Sequence, residues 1–238
     1  MKKERKKETQ TGNFPWQKVL IIAVGVVFAV MFVFQYAMTS GMLQYLRGVR
    51  ANDTVTLDFT LKDEMGQPIL TTDQSLYTAA SQQRVWVFLT SPLTLRAGYI
   101  GNPAFMGVNS ENLIASRLGN PTVRFGLLGQ ELDQLDVGVI GMKAGDTKTI
   151  RFNFTDPLTV TMKNYEFNAM GMNFTTIAVG DPVPLGFSET PMAQGLEGAN
   201  STPTNAVLRI ATVTNKTADS IELFYGYPSA DITVREFK

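Results

Sequence analysis

Between Gly126 and Phe154 the chain changes its hydrophobic period in mid-course: GLLGQELDQLDVGVIGMKAGDTKTIRFNF. Leu132, Leu135, Val139 and Met142 recur at helical spacing, which makes one narrow face apolar. Asp133 and Asp136 are expected in the opening turn, where the helix dipole favours negative charge. Lys143-Ala144-Gly145-Asp146 then breaks the helix, with Gly145 at the left-handed position. From Thr147 the period is two. Lys148, Ile150, Phe152 and Phe154 face one way, and Thr147, Thr149, Arg151 and Asn153 the other, as in a half-buried antiparallel strand. One short helix feeding such a strand packs most economically inside a curved sheet.

A second feature divides the chain. Val19 to Met38, VLIIAVGVVFAVMFVFQYAM, is an apolar run with Gln35 as its only strongly polar member. At helical rise this spans a hydrocarbon core of roughly 30 Å. Trp16 and Tyr36 stand near its ends, where amphipathic rings prefer the interface. A cleaved signal peptide is the rival reading. Against it stand the length of the apolar region and the poor cleavage site at Ala37-Met38-Thr39. Ahead of the span lie Lys2, Lys3, Arg5, Lys6, Lys7 and Lys18 against Glu4 and Glu8, an excess that puts the amino terminus in the cytoplasm and the remainder outside. The expected plan is a basic tail over 1–17, a membrane helix over 18–40 and a stalk over 41–50. The sequons at Asn52, Asn153, Asn173, Asn200 and Asn215 all follow the span, as glycosylation sites of an outward-facing domain would.

The Gly126–Phe154 stretch resembles the core of FKBP-type peptidyl-prolyl cis–trans isomerases. Gly129, Gln130, Leu132, Gly138, Val139, Gly141, Met142, Gly145, Asp146 and Lys148 fall on that family's helix–turn–strand pattern in register. Thr54 to Leu61 alternates cleanly, with Val55, Leu57, Phe59 and Leu61 inward. Asp63-Glu64-Met65-Gly66 makes the turn into a second strand from Pro68 to Thr72, and this resembles the family's opening hairpin. Phe59 stands where the family carries tyrosine, Ile69 where it carries phenylalanine, and Leu70 where it carries aspartate.

The resemblance implies an α+β fold: a curved antiparallel sheet wrapped on one short helix. It places the core over 51–158, with an insertion at 76–120. Within that insertion Arg84 to Thr90 suits a buried strand and Glu111 to Arg117 a short helix, the rest reading as loop. Val207 to Tyr227 reads as two alternating strands joined at 215–219, and Ala230 to Phe237 as a closing strand. That order is similar to the long archaeal and SlyD-like members. A small β-rich flap domain, here 159–228, is inserted in them before the chain returns to the core at 229–238. Glu189 to Pro203 reads as a mobile loop of that flap. Met162, Met170, Met172 and Met192 suit either a surface accepting varied apolar sequences or simple core filling.

Composition narrows the chemistry. The chain has no cysteine and no histidine, which removes thiol nucleophiles, Ser-His-Asp triads and nearly all zinc sites. A formal net charge of zero argues against nucleic-acid binding. Glu131, Asp133, Asp136 and Asp146 match no metal loop or acid/base pair and read as a solvated helix start. No metal and no cofactor is expected, and no catalytic residue can be named. Isomerisation needs neither. The X-Pro barrier of about 20 kcal/mol falls when a dry apolar wall disfavours the planar, charge-separated amide. By resemblance, Leu132 supplies an N–H to the substrate carbonyl, Leu135 forms the pocket floor, and Phe59, Ile69, Leu70, Phe125 and Leu158 line the walls. The expected partners are polypeptide clients, the bilayer through residues 19–38, and, if activity is lost, a membrane-complex partner. The alternative to an isomerase is an inactive holdase or structural subunit on the same fold.

Overall fold

The computed structural model describes residues 16–39, 47–83, 86–112, 122–155, 157–188 and 206–238. The chain divides into two compact units, Met1–Leu46 and Arg47–Lys238. In the first, helix α1 (Trp16–Thr39) is long and apolar enough to cross a membrane. Its side chains from Val19 to Tyr36 are exposed within the unit.

The second unit is mixed α+β: one large sheet with three short helices among the described residues. Its elements are β1 (Thr54–Lys62), β2 (Pro68–Thr71), α2 (Gln74–Gln82), β3 (Phe88–Thr90), β4 (Leu93–Arg96), β5 (Phe105–Glu111), β6 (Thr122–Leu128) and α3 (Gly129–Gly138). There follow β7 (Thr147–Arg151), β8 (Thr159–Lys163), α4 (Asn164–Ala169), β9 (Pro182–Ser188), β10 (Ala206–Lys216), β11 (Ser220–Phe224) and β12 (Ser229–Phe237). The strand order is β7-β12-β1-β2-β3-β5-β6-β10-β11-β8, with β4 added on β1 and β9 on β10.

Strict alternation puts Val55, Leu57, Phe59 and Leu61 of β1 on the buried face. The closing strand β12 returns to lie between β1 and β7, pairing Phe59 with Ile232 and Lys148 with the same residue from the other side. The sheet is not wholly antiparallel. β2 runs parallel to β3, and β6 parallel to β10, where Leu208 pairs with Phe125. The span 76–120, expected to be mostly loop, contains most of α2 together with β3, β4 and β5 among its described residues, and the three strands join the common sheet. Asp73 caps α2 by accepting from the Ser75 and Leu76 N–H groups. Glu111 closes β5 rather than opening a helix. The rest of that expected helix, and the loop 189–203, fall outside the described residues.

Helix α3 begins four residues earlier than the sequence suggested. The reason is local: the Glu131 carboxylate accepts from the Leu128 N–H at 2.9 Å, one half of a capping box. Gly129 also lets the loop at Asn102–Pro103 lie against the helix start, since a Cβ there would come within 2.4 Å of the Pro103 carbonyl oxygen. At the far end Gly145 has φ +88°, the left-handed turn that releases the chain into β7.

Buried apolar side chains form two principal clusters. The larger joins β1, β2, β6, α3, β7 and β12, with Leu132, Leu135, Val139 and Met142 of the helical face and its continuation inside it. The smaller holds Phe167, Phe174, Val183, Leu185, Ala211, Val213, Ile221 and Leu223, from α4, β9, β10, β11 and the segment after α4. Met162 and Met172 pack against it, while Met170 is exposed. β10 contributes Ile210 to the larger cluster and Ala211 and Val213 to the smaller.

Candidate functional site

The residues expected to wall an X-Pro pocket are Phe59, Ile69, Leu70, Phe125, Leu132, Leu135 and Leu158. The first six meet in the larger cluster. None of the seven exceeds 7% exposure, so each side chain is packed against its neighbours. Phe125 is closed over from two sides, by Phe88 at 5.2 Å between ring centroids and by Tyr227 at 6.1 Å. Leu132 is the fourth residue of α3. By helix geometry that is the first position whose N–H finds an acceptor within the helix.

Beside this filled floor lies an open groove of about 320 Å³. The start of α3 (Leu128, Gly129, Gln130, Asp133) forms one side; Asn102, Ala104 and Phe105 form the second; Pro157, Leu158 and Tyr225 form the third. Leu158 is the expected wall residue that lines this groove, while Phe59 borders a separate, wider one of about 510 Å³ and Leu132 a smaller hollow. Phe105 and Tyr225 are half-buried and linked through Phe187, whose ring lies 4.8 Å from the first and 5.0 Å from the second. The result is an aromatic ledge of the kind that accepts aliphatic side chains and proline rings. At the helix start the Gly129 N–H is taken by the Ala104 carbonyl. The Gln130 N–H belongs to the first turn of α3, whose N–H groups have no acceptor within the helix, and Gln130 lines the groove.

The acidic residues nearby are not a solvated helix start. Glu131 is fully buried and holds Arg209, which is fully buried too, at 2.7 Å. Arg209 also donates to the Gly126 carbonyl at 2.7 Å and the Tyr225 carbonyl at 2.9 Å, and its guanidinium lies 4.4 Å from the Tyr227 ring centroid. Burial alone would lower the Arg209 pKa, but Glu131, Tyr227 and Tyr225 together outweigh it and the net shift is upward. Burial pushes the Tyr227 hydroxyl well above its ordinary range, and that hydroxyl bridges the Ile210 carbonyl and N–H. The network stitches β6, α3, β10 and the segment after β11 into one support beneath the groove.

On its outer side α3 is tied to the loop after β4. The Asn102 amide donates 2.8 Å bonds to both Asp133 and Asp136. Asp136 is 2% exposed, and its Oδ1 has no partner. Desolvation, reinforced by Asp133 and only partly offset by Asn102, raises its pKa to about 6. A smaller hollow of about 300 Å³ adjoins it, lined by Leu93, Leu95, Tyr99, Met106, Leu132 and Asp136 among others. The sequence alone gave no signal for Arg209, Tyr227 or Asn102, whose roles arise from chain segments far apart. The sequon side chains Asn52, Asn153, Asn173 and Asn215 are exposed, and Asn200 lies outside the described residues. Among the described residues no His/Cys/Asp/Glu group could hold a metal ion.

No model of a known protein family matches the chain. A search of curated proteins likewise finds no match.

Proposed function

We propose that the protein is a membrane-tethered folding factor with an FKBP-like core, which holds proline-containing or unfolded polypeptide segments on the outside of the membrane. The groove at the start of α3 carries this reading. It is open and edged by an aromatic ledge, and the Gln130 N–H beside it can bind a client carbonyl in the role that resemblance gave to Leu132. Two further features support the FKBP-like plan. The strand after the turn at Gly145 pairs with the last strand of the chain, and residues 159–228 supply all eight buried members of the smaller cluster, as an inserted flap would. The basic tail before α1 favours a cytoplasmic amino terminus, and four exposed sequons agree with an outward-facing domain.

Binding, rather than rapid catalysis, is the activity proposed. A rate gain on X-Pro rotation needs the twisted amide to sit in a dry pocket, and the side chains suited to line one are packed against each other. Exchange spectroscopy on a short X-Pro peptide with the full chain in detergent micelles tests this. The expected result is saturable binding with an interconversion rate near that of buffer. A many-fold faster rate would favour the isomerase reading, and neither binding nor rate would favour a fixed structural subunit.

A further inference from the structure

Among the described residues of the second unit eight large apolar side chains are exposed, and four of them, Tyr99, Ile100, Val137 and Ile140, lie in the loop after β4 and at the end of α3. A Cβ on Gly98 would lie 3.3 Å from Ile140 Cδ1 and 3.5 Å from Ala51 Cβ, and the Gly98 N–H donates to the Asp136 carbonyl at 2.7 Å, so the 98–101 loop lies along the end of α3. The same place receives the chain as it enters the domain. Val49 exchanges hydrogen bonds with Gly141 and Met142, at 2.8 and 2.7 Å, and a Cβ on Gly48 would strike the Gly141 carbonyl. Arg50, Arg96 and Lys143 are exposed around it, while nearby Asp53 is neutralised by Arg47 at 2.7 Å.

We infer that this patch is a bilayer-docking surface: Tyr99, Ile100, Val137 and Ile140 enter the headgroup region while Arg50 and Lys143 meet anionic lipid. The inference rests on the reading of α1 as a membrane anchor. The tether selects this face. Residues 40–46 are all that separate Thr39 of α1 from Arg47, a reach of at most about 28 Å when fully extended. Arg47, where the chain enters the domain, is therefore tethered within about 28 Å of the end of α1, less than the roughly 40 Å breadth of a domain of this size. An aromatic ring, aliphatic side chains and cations together suit an interface that is half apolar and half charged.

The absence of cysteine makes the test clean, since any introduced thiol is unique. The full chain is reconstituted in vesicles of phosphatidylcholine and phosphatidylglycerol, with an environment-sensitive fluorophore at Ile100→Cys, Ile140→Cys, Met65→Cys or Phe28→Cys. The expected result is a blue shift and quenching by nitroxide lipids at positions 100 and 140, with none at 65. Lipid-like signals at 28 combined with water-like signals at 100 and 140 would overturn the docking surface and leave the anchor standing. A water-like signal at 28 would overturn the anchor itself, and the docking proposal with it. In protein lacking a label, Ile100→Asp with Ile140→Asp should make the 98–101 loop more accessible to protease on vesicles but not in micelles; equal cleavage in both would also contradict the proposal.

Discussion

Arg209 and Glu131 form a bidentate ion pair, 2.7 and 3.0 Å long, with neither side chain exposed to solvent. It joins the start of the central helix to a strand 78 residues away in sequence. Removing one partner leaves a buried charge uncompensated, which costs about 3–5 kcal/mol. Arg209→Met and Glu131→Gln should therefore each lower the denaturation midpoint strongly. Glu131→Leu combined with Arg209→Met should recover part of that loss, because two apolar side chains need no counter-charge while the Gly126 and Tyr225 carbonyls and the Leu128 N–H still lose their partners. Denaturant titration of the four proteins in the same detergent checks this.

Asp136 should make the protein more stable on mild acidification. Its folded pKa of about 6 stands above the ordinary 3.8, so the folded state binds the proton more tightly than the unfolded one. The effect is fully favourable below about pH 4 and is lost as pH rises through 6. Asp53, Asp73 and Asp231 act oppositely, since hydrogen bonds hold their pKa values below 3.8 in the fold. What they contribute is present above about pH 4 and lost on further acidification. Melting curves should therefore peak between these windows, and Asp136→Asn should flatten the slope between pH 4 and 6 without touching the acid limb.

The groove should depend on its aromatic ledge. Tyr225→Ala removes a half-buried ring next to Phe187, and Phe105→Ala removes the ring on the other side. An aromatic contact contributes about 0.5–1.5 kcal/mol, so each change should weaken client binding several-fold, up to roughly tenfold. Met65→Ala, an exposed apolar residue away from the groove, should leave affinity unchanged. Fluorescence anisotropy with a labelled proline-containing peptide measures all three.

Glycan occupancy offers a check on sidedness. In a host that glycosylates outward-facing domains, Asn52, Asn153, Asn173 and Asn215 have exposed side chains ready for modification. Mobility on a denaturing gel should rise in steps as each is changed to Gln. Uniform mobility across the series would place the domain on the unmodified side.

What could be read in the sequence was local. Alternation in Thr54–Lys62, the turn at Gly66, the break at Gly145 and the alternation in Ser229–Phe237 each depend on neighbours a few residues apart, and each is as expected. What could not be read depends on distant partners. Glu131 looked like a solvent-facing acid of a first turn, because nothing near it announces Arg209 as its counter-charge. Asp136 looked the same, yet Asn102, 34 residues upstream, caps it against water. Leu93–Arg96 is too short to show a period against its Gly- and Pro-rich surroundings, and it became a strand by pairing with β1. The parallel pairing of β6 with β10 follows from where the chain returns, which no local pattern encodes. The pocket residues were legible as apolar and inward, but inward-facing residues serve a packed core and a ligand site equally.

The most direct test is peptide binding to the full chain in lipid nanodiscs, compared between the unaltered protein and the Phe105→Ala, Tyr225→Ala double variant. The account predicts saturable binding of a proline-containing segment that the double variant loses while it still melts cooperatively as a folded protein. Binding that survives the double variant intact, or no saturable binding by the unaltered protein, would contradict it.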